Sequence, residues 1–202
     1  MLLQEHSIKQ FTEVLASDAP APGGGSVAAL NGALAAALLN MAGSLTVGKE
    51  KYKEFHEEIQ GIMAGAKELQ NKLLSLIDED TEAYNKVSAV FSMPKETPEE
   101  KTARSQAMQT ALKDAADTPL KTMKNSLECL NLLKAALGKT NPSCASDFGV
   151  AALSALASVR SAWLNVEINL EGIKDEVFTE KISAEGRAIL EQSLKLAKEL
   201  LT

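Results

Sequence analysis

Between residues 27 and 45 the chain carries no charge, and this run follows directly on Gly23-Gly24-Gly25-Ser26. Its length is close to the roughly 20 residues that a membrane-crossing helix needs. Its chemistry points elsewhere. The bulk is alanine, which gains little on transfer to lipid. Asn31, Asn40 and Ser44 interrupt it, and no aromatic or basic residue flanks its N-terminal side. A helix apolar on every face is instead buried, either in a core or between subunits. The run therefore predicts a central helix of a helical protein that forms a homodimer through its helices, with no membrane partner. The opening MLLQEHSIKQF lacks a basic stretch followed by an apolar one, so no export signal is read and a cytoplasmic location is expected.

The rest of the chain agrees with an all-α fold. Aromatic residues are only 4%, and no β-branched run alternates with polar positions. A first helix is expected over residues 5–17, stopped by Pro20 and Pro22, and Gly48 is expected to cap the alanine-rich helix. A long amphipathic pattern then runs from Glu50 to Met93. Thr97-Pro98-Glu99-Glu100 reads as a capping box with proline at the first helical position. The next helix is expected to be interrupted near Asp117-Thr118-Pro119, by a new start or a kink, and to continue to Leu137. Further helices are expected from Asp147 to Leu170 and, capped by Ser183, to Leu201. Without repeats or linkers, residues 1–202 read as one domain, a bundle of long antiparallel helices.

Several functions are excluded at this stage. With 21 basic against 27 acidic residues the net charge is −6, which argues against nucleic acid as a partner. Cys129 and Cys144 form neither a disulfide framework nor a metal spacing, and His6 and His56 are the only histidines, so no metal site is expected.

Three places break the local rules. The glycines of residues 23–26 expose backbone N–H groups at the positive end of a helix, where a carboxylate, phosphate or oxyanion can sit; alternatively this is a plain turn with Ser26 as cap. Asp80 falls on the apolar stripe of the long helix, where an unpaired carboxylate is costly to bury. It is either a functional acid or the partner of a lysine. Asn165 and Asn169 lie one turn apart on an apolar helix, and either hydrogen-bond a heterocycle or glue helices together. Lys49, Lys51, Lys53 and Arg160 are candidate anion partners.

Taken in order, DAPAPGGGS (18–26), LTVGKEKY (45–52), DEDTEAY (78–84), MPK (93–95), SDFGV (146–150) and NVEINL (165–170) resemble the formiminotetrahydrofolate cyclodeaminase / methenyltetrahydrofolate cyclohydrolase family, in its standalone form. The resemblance covers most of the chain. It implies an enzyme acting on a one-carbon group held between N5 and N10 of tetrahydrofolate. One reaction closes the 5-formimino form to 5,10-methenyl with release of ammonia; the other hydrates 5,10-methenyl to 10-formyl. It also implies no cofactor beyond the folate substrate. On this reading Asp80 handles protons and Lys49 assists the departing nitrogen. Residues Gly23, Gly24, Gly25 and Ser26 meet an anionic or carbonyl part of the folate. Asp147 and Asn165 read the pterin edge, Tyr52 belongs to the substrate site, and Lys95 or Arg160 meets the glutamate tail. Phe148 departs from the family pattern, in which a smaller residue follows the aspartate, and is expected to affect the pocket. The alternative function is a non-catalytic folate-binding or assembly subunit.

Overall fold

The computed structural model describes residues 2–201, and among them there are helices and no strands. A short helix α1 (Ile8–Leu15) precedes five long ones: α2 (Gly24–Ser44), α3 (His56–Phe91), α4 (Pro98–Ala136), α5 (Ala145–Leu170) and α6 (Glu176–Leu201). α2 to α5 form an up-and-down square in which each helix packs against the next and α5 returns to α2, while α6 lies against α4 and α5. Small residues set the close approach. A Cβ added at Gly32 of α2 would come within 2.6 Å of Ser126 Oγ, 2.9 Å of Leu73 and 2.9 Å of Ser158 Oγ. The Ser158 hydroxyl donates to Ala28 O at 2.6 Å, so Ser126, 2.7 Å away, donates to Ser158. That chain ties α2, α4 and α5 at the centre of the core with every proton used.

The element boundaries follow their caps, with several corrections to the sequence reading. α1 begins at Ile8 because Ser7 and Gln10 close a reciprocal cap, and of its apolar face only Phe11 is buried. Gly48 does not cap α2, which ends at Ser44; the glycine instead takes a positive φ of 85° in the turn beyond. Residues 50–55 form a separate 3-10 turn with a kink at Tyr52, and α3 starts at His56. α6 starts at Glu176 because Asp175 accepts the Phe178 N–H at 3.1 Å, and Ser183 lies inside the helix. The Thr97 capping box forms as read.

A further correction concerns Pro119, where no new helix starts: the residue sits inside the single helix α4. Proline lacks the N–H that would bond to the carbonyl four residues back, leaving Ala115 O free. Asn169 of α5 fills that gap, its Nδ2 donating to Ala115 O at 3.0 Å. Asn169→Ala is therefore expected to cost about 1–3 kcal/mol by leaving a buried carbonyl unpaired. In a Pro119→Ala background, where the N–H is restored, the same change should cost much less. Urea unfolding of the four proteins measures the difference, and equal costs in both backgrounds would refute the link.

α2 and the segment Pro142–Leu170 are long and apolar enough to cross a membrane by length and composition. In the fold, the α2 positions Ala28, Ala29, Ala35, Ala36 and Ala42 are wholly enclosed by the bundle.

Candidate active site

One cavity collects the three irregular features. It measures about 330 Å³ and is lined by Gly23, Gly24, Gly25, Asp80, Asn165 and Asn169, with Tyr84, Val87 and Ile168 as apolar walls. It forms where the N-terminal end of α2 meets α3 and the last turns of α5.

Asp80 is held there by the start of α2. The cap residue Gly23 has no side chain to offer, and the carboxylate of Asp80 takes that place from the neighbouring helix. Ser26 Oγ lies 3.0 Å from Asp80 Oδ2 and its backbone N–H also bonds the carboxylate. Ser26 is thus not the cap of α2 but a buried link to α3. A Cβ on Gly25 would overlap this carboxylate, with Cγ at 2.5 Å and Oδ2 at 2.8 Å, so only glycine lets the acid approach the helix end. No cationic side chain bonds Asp80 among the described residues. Burial raises its pKa above the ordinary carboxylate value, and the two bonds from Ser26 oppose that only in part. Ser26 Oγ is also 3.0 Å from Ile77 O. Its single proton cannot serve both acceptors at full strength. With Asp80 protonated, the acid donates to Ser26 while Ser26 donates to Ile77 O, so the network accepts a proton without losing a bond.

Opposite Asp80, Asn165 Nδ2 donates to Ser161 O and Asn169 Nδ2 to both Ala115 O and Asn165 O. Asn169 is therefore interhelical glue that also lines the cavity. Both amide oxygens lack a donor among the described residues and can accept from a ligand. The cavity thus combines amide and carboxylate acceptors with helix-terminal N–H donors between apolar walls, a suitable setting for a flat, polar-edged heterocycle.

The remaining expected residues lie elsewhere in the single chain. Lys49 and Tyr52 follow the far end of α2, about 31 Å along a 21-residue helix from Gly24. Tyr52 is engaged there by Lys51 Nζ, 5.4 Å from its ring centroid. Asp147 sits in the first turn of α5, at that same distant end. Phe148, buried in the core beside it, does not shape the cavity. Lys95 lines a second cleft of about 300 Å³ with Lys101, Arg104 and Lys174, and no acidic side chain lines it. The cleft reaches Gln109, about 9 Å along α4 from Ala115 in the first cavity. Gln109 fixes its floor by donating to Gly172 O at 2.9 Å and accepting the Lys174 N–H at 2.7 Å. Tyr84, Val87 and Ile168 were missed as lining residues, although Tyr84 and Val87 follow Asp80 by four and seven positions on one helical face. Asp78, near Asp80 on α3, accepts the Leu3 N–H at 2.6 Å and anchors the N-terminal segment. No group of three or more His, Cys, Asp or Glu able to hold a metal occurs among the described residues.

With this geometry in place, comparison with known proteins is informative. The sequence profile described as formiminotransferase-cyclodeaminase matches residues 7–188. The chain is 40% identical over 187 residues to the methenyltetrahydrofolate cyclohydrolase of Methylorubrum extorquens, covering 93% of this chain and 90% of that protein. It is 33% identical over 191 residues to the formimidoyltransferase-cyclodeaminase of Rattus norvegicus, but spans only 35% of that protein's length. The crystal structure of formiminotetrahydrofolate cyclodeaminase from Thermotoga maritima superposes with a TM-score of 0.86 at 30% identity, covering 98% of this chain and 97% of the other.

Proposed function

The chain belongs to the formiminotransferase-cyclodeaminase family of tetrahydrofolate one-carbon enzymes, and from that premise we propose that it hydrates 5,10-methenyltetrahydrofolate to the 10-formyl form. The observation that carries this reading is Asp80: a largely buried carboxylate with a raised pKa, bonded among the described residues by Ser26 and facing acceptors suited to a pterin. The similarity to a cyclohydrolase along 90% of that protein's length favours hydration. The match to the Thermotoga structure favours a second reading, the cyclodeaminase reaction.

Both reactions use the same proton path. In hydration, Asp80 takes a proton from water as its oxygen bonds the methenyl carbon. It returns that proton to N5 as the carbon–N5 bond breaks. The hydroxyl of the tetrahedral carbon loses its own proton to solvent, leaving 10-formyltetrahydrofolate. In cyclodeamination N10 attacks the formimino carbon, and Asp80 moves the N10 proton to the amino group, which departs as ammonia. In each case a carboxylate lies beside a cationic amidinium, whose charge it stabilises. The N–H groups of Gly24 and Gly25 and the Asn165 and Asn169 oxygens hold the ring. The Lys95 cleft receives the glutamate carboxylates. The working form is a cytoplasmic homodimer.

The test is a pair of assays on one preparation. The expected result is loss of methenyl absorbance above the spontaneous rate, with no ammonia released from the formimino substrate. Ammonia release would move the cyclodeaminase to first place. Folate binding without either signal would leave a non-catalytic binding subunit.

A further inference from the structure

Threonines inside the helices follow one habit, and Thr81 departs from it. Thr12 of α1 and Thr102, Thr110, Thr118 and Thr122 of α4 each donate their hydroxyl to the carbonyl four residues back. Thr81, well inside α3, does not: its hydroxyl oxygen is buried and has no partner among the described residues. A buried hydroxyl left unbonded is rare enough to need a cause. The cause is a competitor. The carbonyl four residues before Thr81 belongs to Ile77, which accepts the Thr81 N–H within the helix and the Ser26 hydroxyl from α2 at 3.0 Å. Its two lone pairs are then both in use.

The same Ser26 oxygen lies 3.0 Å from Asp80 Oδ2, so one proton stands evenly between two acceptors. Which of them it serves depends on Asp80. A protonated Asp80 donates to Ser26, Ser26 donates to Ile77 O, and Thr81 is left without an acceptor. An ionised Asp80 draws the Ser26 proton, because a hydrogen bond to a charged oxygen is the stronger one. Ile77 O then has a lone pair open, and the Thr81 hydroxyl, one helical turn away, reaches it by rotation about a single bond. Every group is bonded in the ionised state, and one is not in the neutral state. Burial favours the neutral acid, and this exchange opposes it.

We infer that Thr81 is a positioning residue for the acid: its hydroxyl takes over Ile77 O when Ser26 turns to the carboxylate, and so holds Asp80 in its base form. The exchange of hydrogen bonds stands on the geometry alone. Its bearing on turnover rests on the folate reaction proposed above, in which Asp80 starts as the base.

Of the elements around this network, α2 brings no ionisable group, and α5 faces it with Asn165 and Asn169. α3 brings Asp78, held by the Leu3 and Gln4 N–H groups, and Tyr84 on the cavity wall. α4 brings Asp114 and Asp117, paired with Lys86 and Lys121 beside Glu79 and Glu82, and the N-terminal segment brings His6. All of these also titrate in Asp80→Asn, so the difference between that background and the native one isolates Asp80.

The test compares Thr81→Val, which keeps the shape and removes the hydroxyl, with Thr81→Ser, which keeps the hydroxyl, once circular dichroism shows both folded. In urea, Thr81→Val should exceed the wild type in acid, where the lost hydroxyl had no partner. The advantage should shrink as pH rises through the Asp80 transition. In the Asp80→Asn background its effect should be the same at every pH. The Asp80 carboxyl carbon, followed by NMR in aspartate-labelled protein and identified by its loss in Asp80→Asn, should titrate roughly half to one pH unit higher in Thr81→Val, the shift one hydrogen bond produces. In Thr81→Ser it should titrate as in the wild type. The acid limb of turnover should move with it, a roughly three- to tenfold lower rate at a pH on that limb. A stability effect of Thr81→Val that is equal at every pH, an Asp80 titration that does not move, or a shift in Thr81→Ser as large as in Thr81→Val would each overturn the inference. A titration that moves while the limb stays fixed would overturn its part in catalysis. Should the wild type turn nothing over, the folate reading fails on its own, and the carboxyl titration and urea midpoints still decide the role of Thr81.

Discussion

Asp80→Asn is expected to lower turnover by about 10²- to 10⁴-fold and, at neutral pH, to make the protein harder to unfold. The two effects share one cause. Burial holds the folded-state carboxyl above its unfolded value of 3.8, so the native protein binds this proton more tightly than the unfolded chain does. Below the unfolded pKa the acid is neutral in both states and costs nothing. As pH rises through the raised value, the native state must hold a charge in a partly dry site, and stability falls. Asparagine carries no charge and keeps an oxygen for the Ser26 hydroxyl, so it escapes that cost while losing the proton transfer. The variant's stability advantage should therefore be present at neutral pH and vanish in acid. Urea midpoints across pH, set beside steady-state rates, give the comparison. In the wild type, the rate should fall as pH drops through the raised pKa, because protonation removes the base. Near-normal turnover in the variant, or a neutral-pH loss of stability, would contradict the role given to Asp80.

Asp80 was legible in the sequence for a simple reason. Its place on an apolar stripe is a property of one helix, and the cost of a carboxylate there is local physics. The glycine turn and the paired asparagines were legible in the same way, and the fold brings all three to one cavity. Pro119 was misread because its remedy lies on another helix: the sequence shows the missing N–H but not Asn169, which arrives from 54 residues away to bond Ala115 O. Ser183 was misread because a serine before an apolar run matches a cap equally well wherever the helix really begins, and Asp175 takes that role. Lys49 exposes a deeper limit. The family resemblance implies a role for it at the site, yet in the fold it follows the far end of α2, about 31 Å along the helix from Gly24, and a likeness of motifs carries no distance.

Within the glycine triplet the sequence gives three equal residues, but the structure separates them, and the second large effect follows from that. Gly25→Ala should reduce turnover at least tenfold and destabilise the fold by about 1–3 kcal/mol, the usual cost of forcing an atom into a packed site. The added Cβ would overlap the Asp80 carboxylate, and Ser26, bound to both Asp80 and Ile77 O, prevents a simple retreat. Gly23→Ala should change stability by less than about 0.5 kcal/mol, since nothing lies within 4 Å of its Cβ. Its backbone, at φ −130°, is extended and open to alanine. Because Gly23 borders the cavity, any kinetic effect there should appear in KM rather than kcat. The same comparison separates displacement of the acid from general damage. In an Asp80→Asn background, Gly25→Ala should still destabilise but should lower the residual rate little further, since the group it displaces no longer carries the proton. A full additional loss of rate in that background would mean that Gly25 acts on catalysis through something other than the position of Asp80.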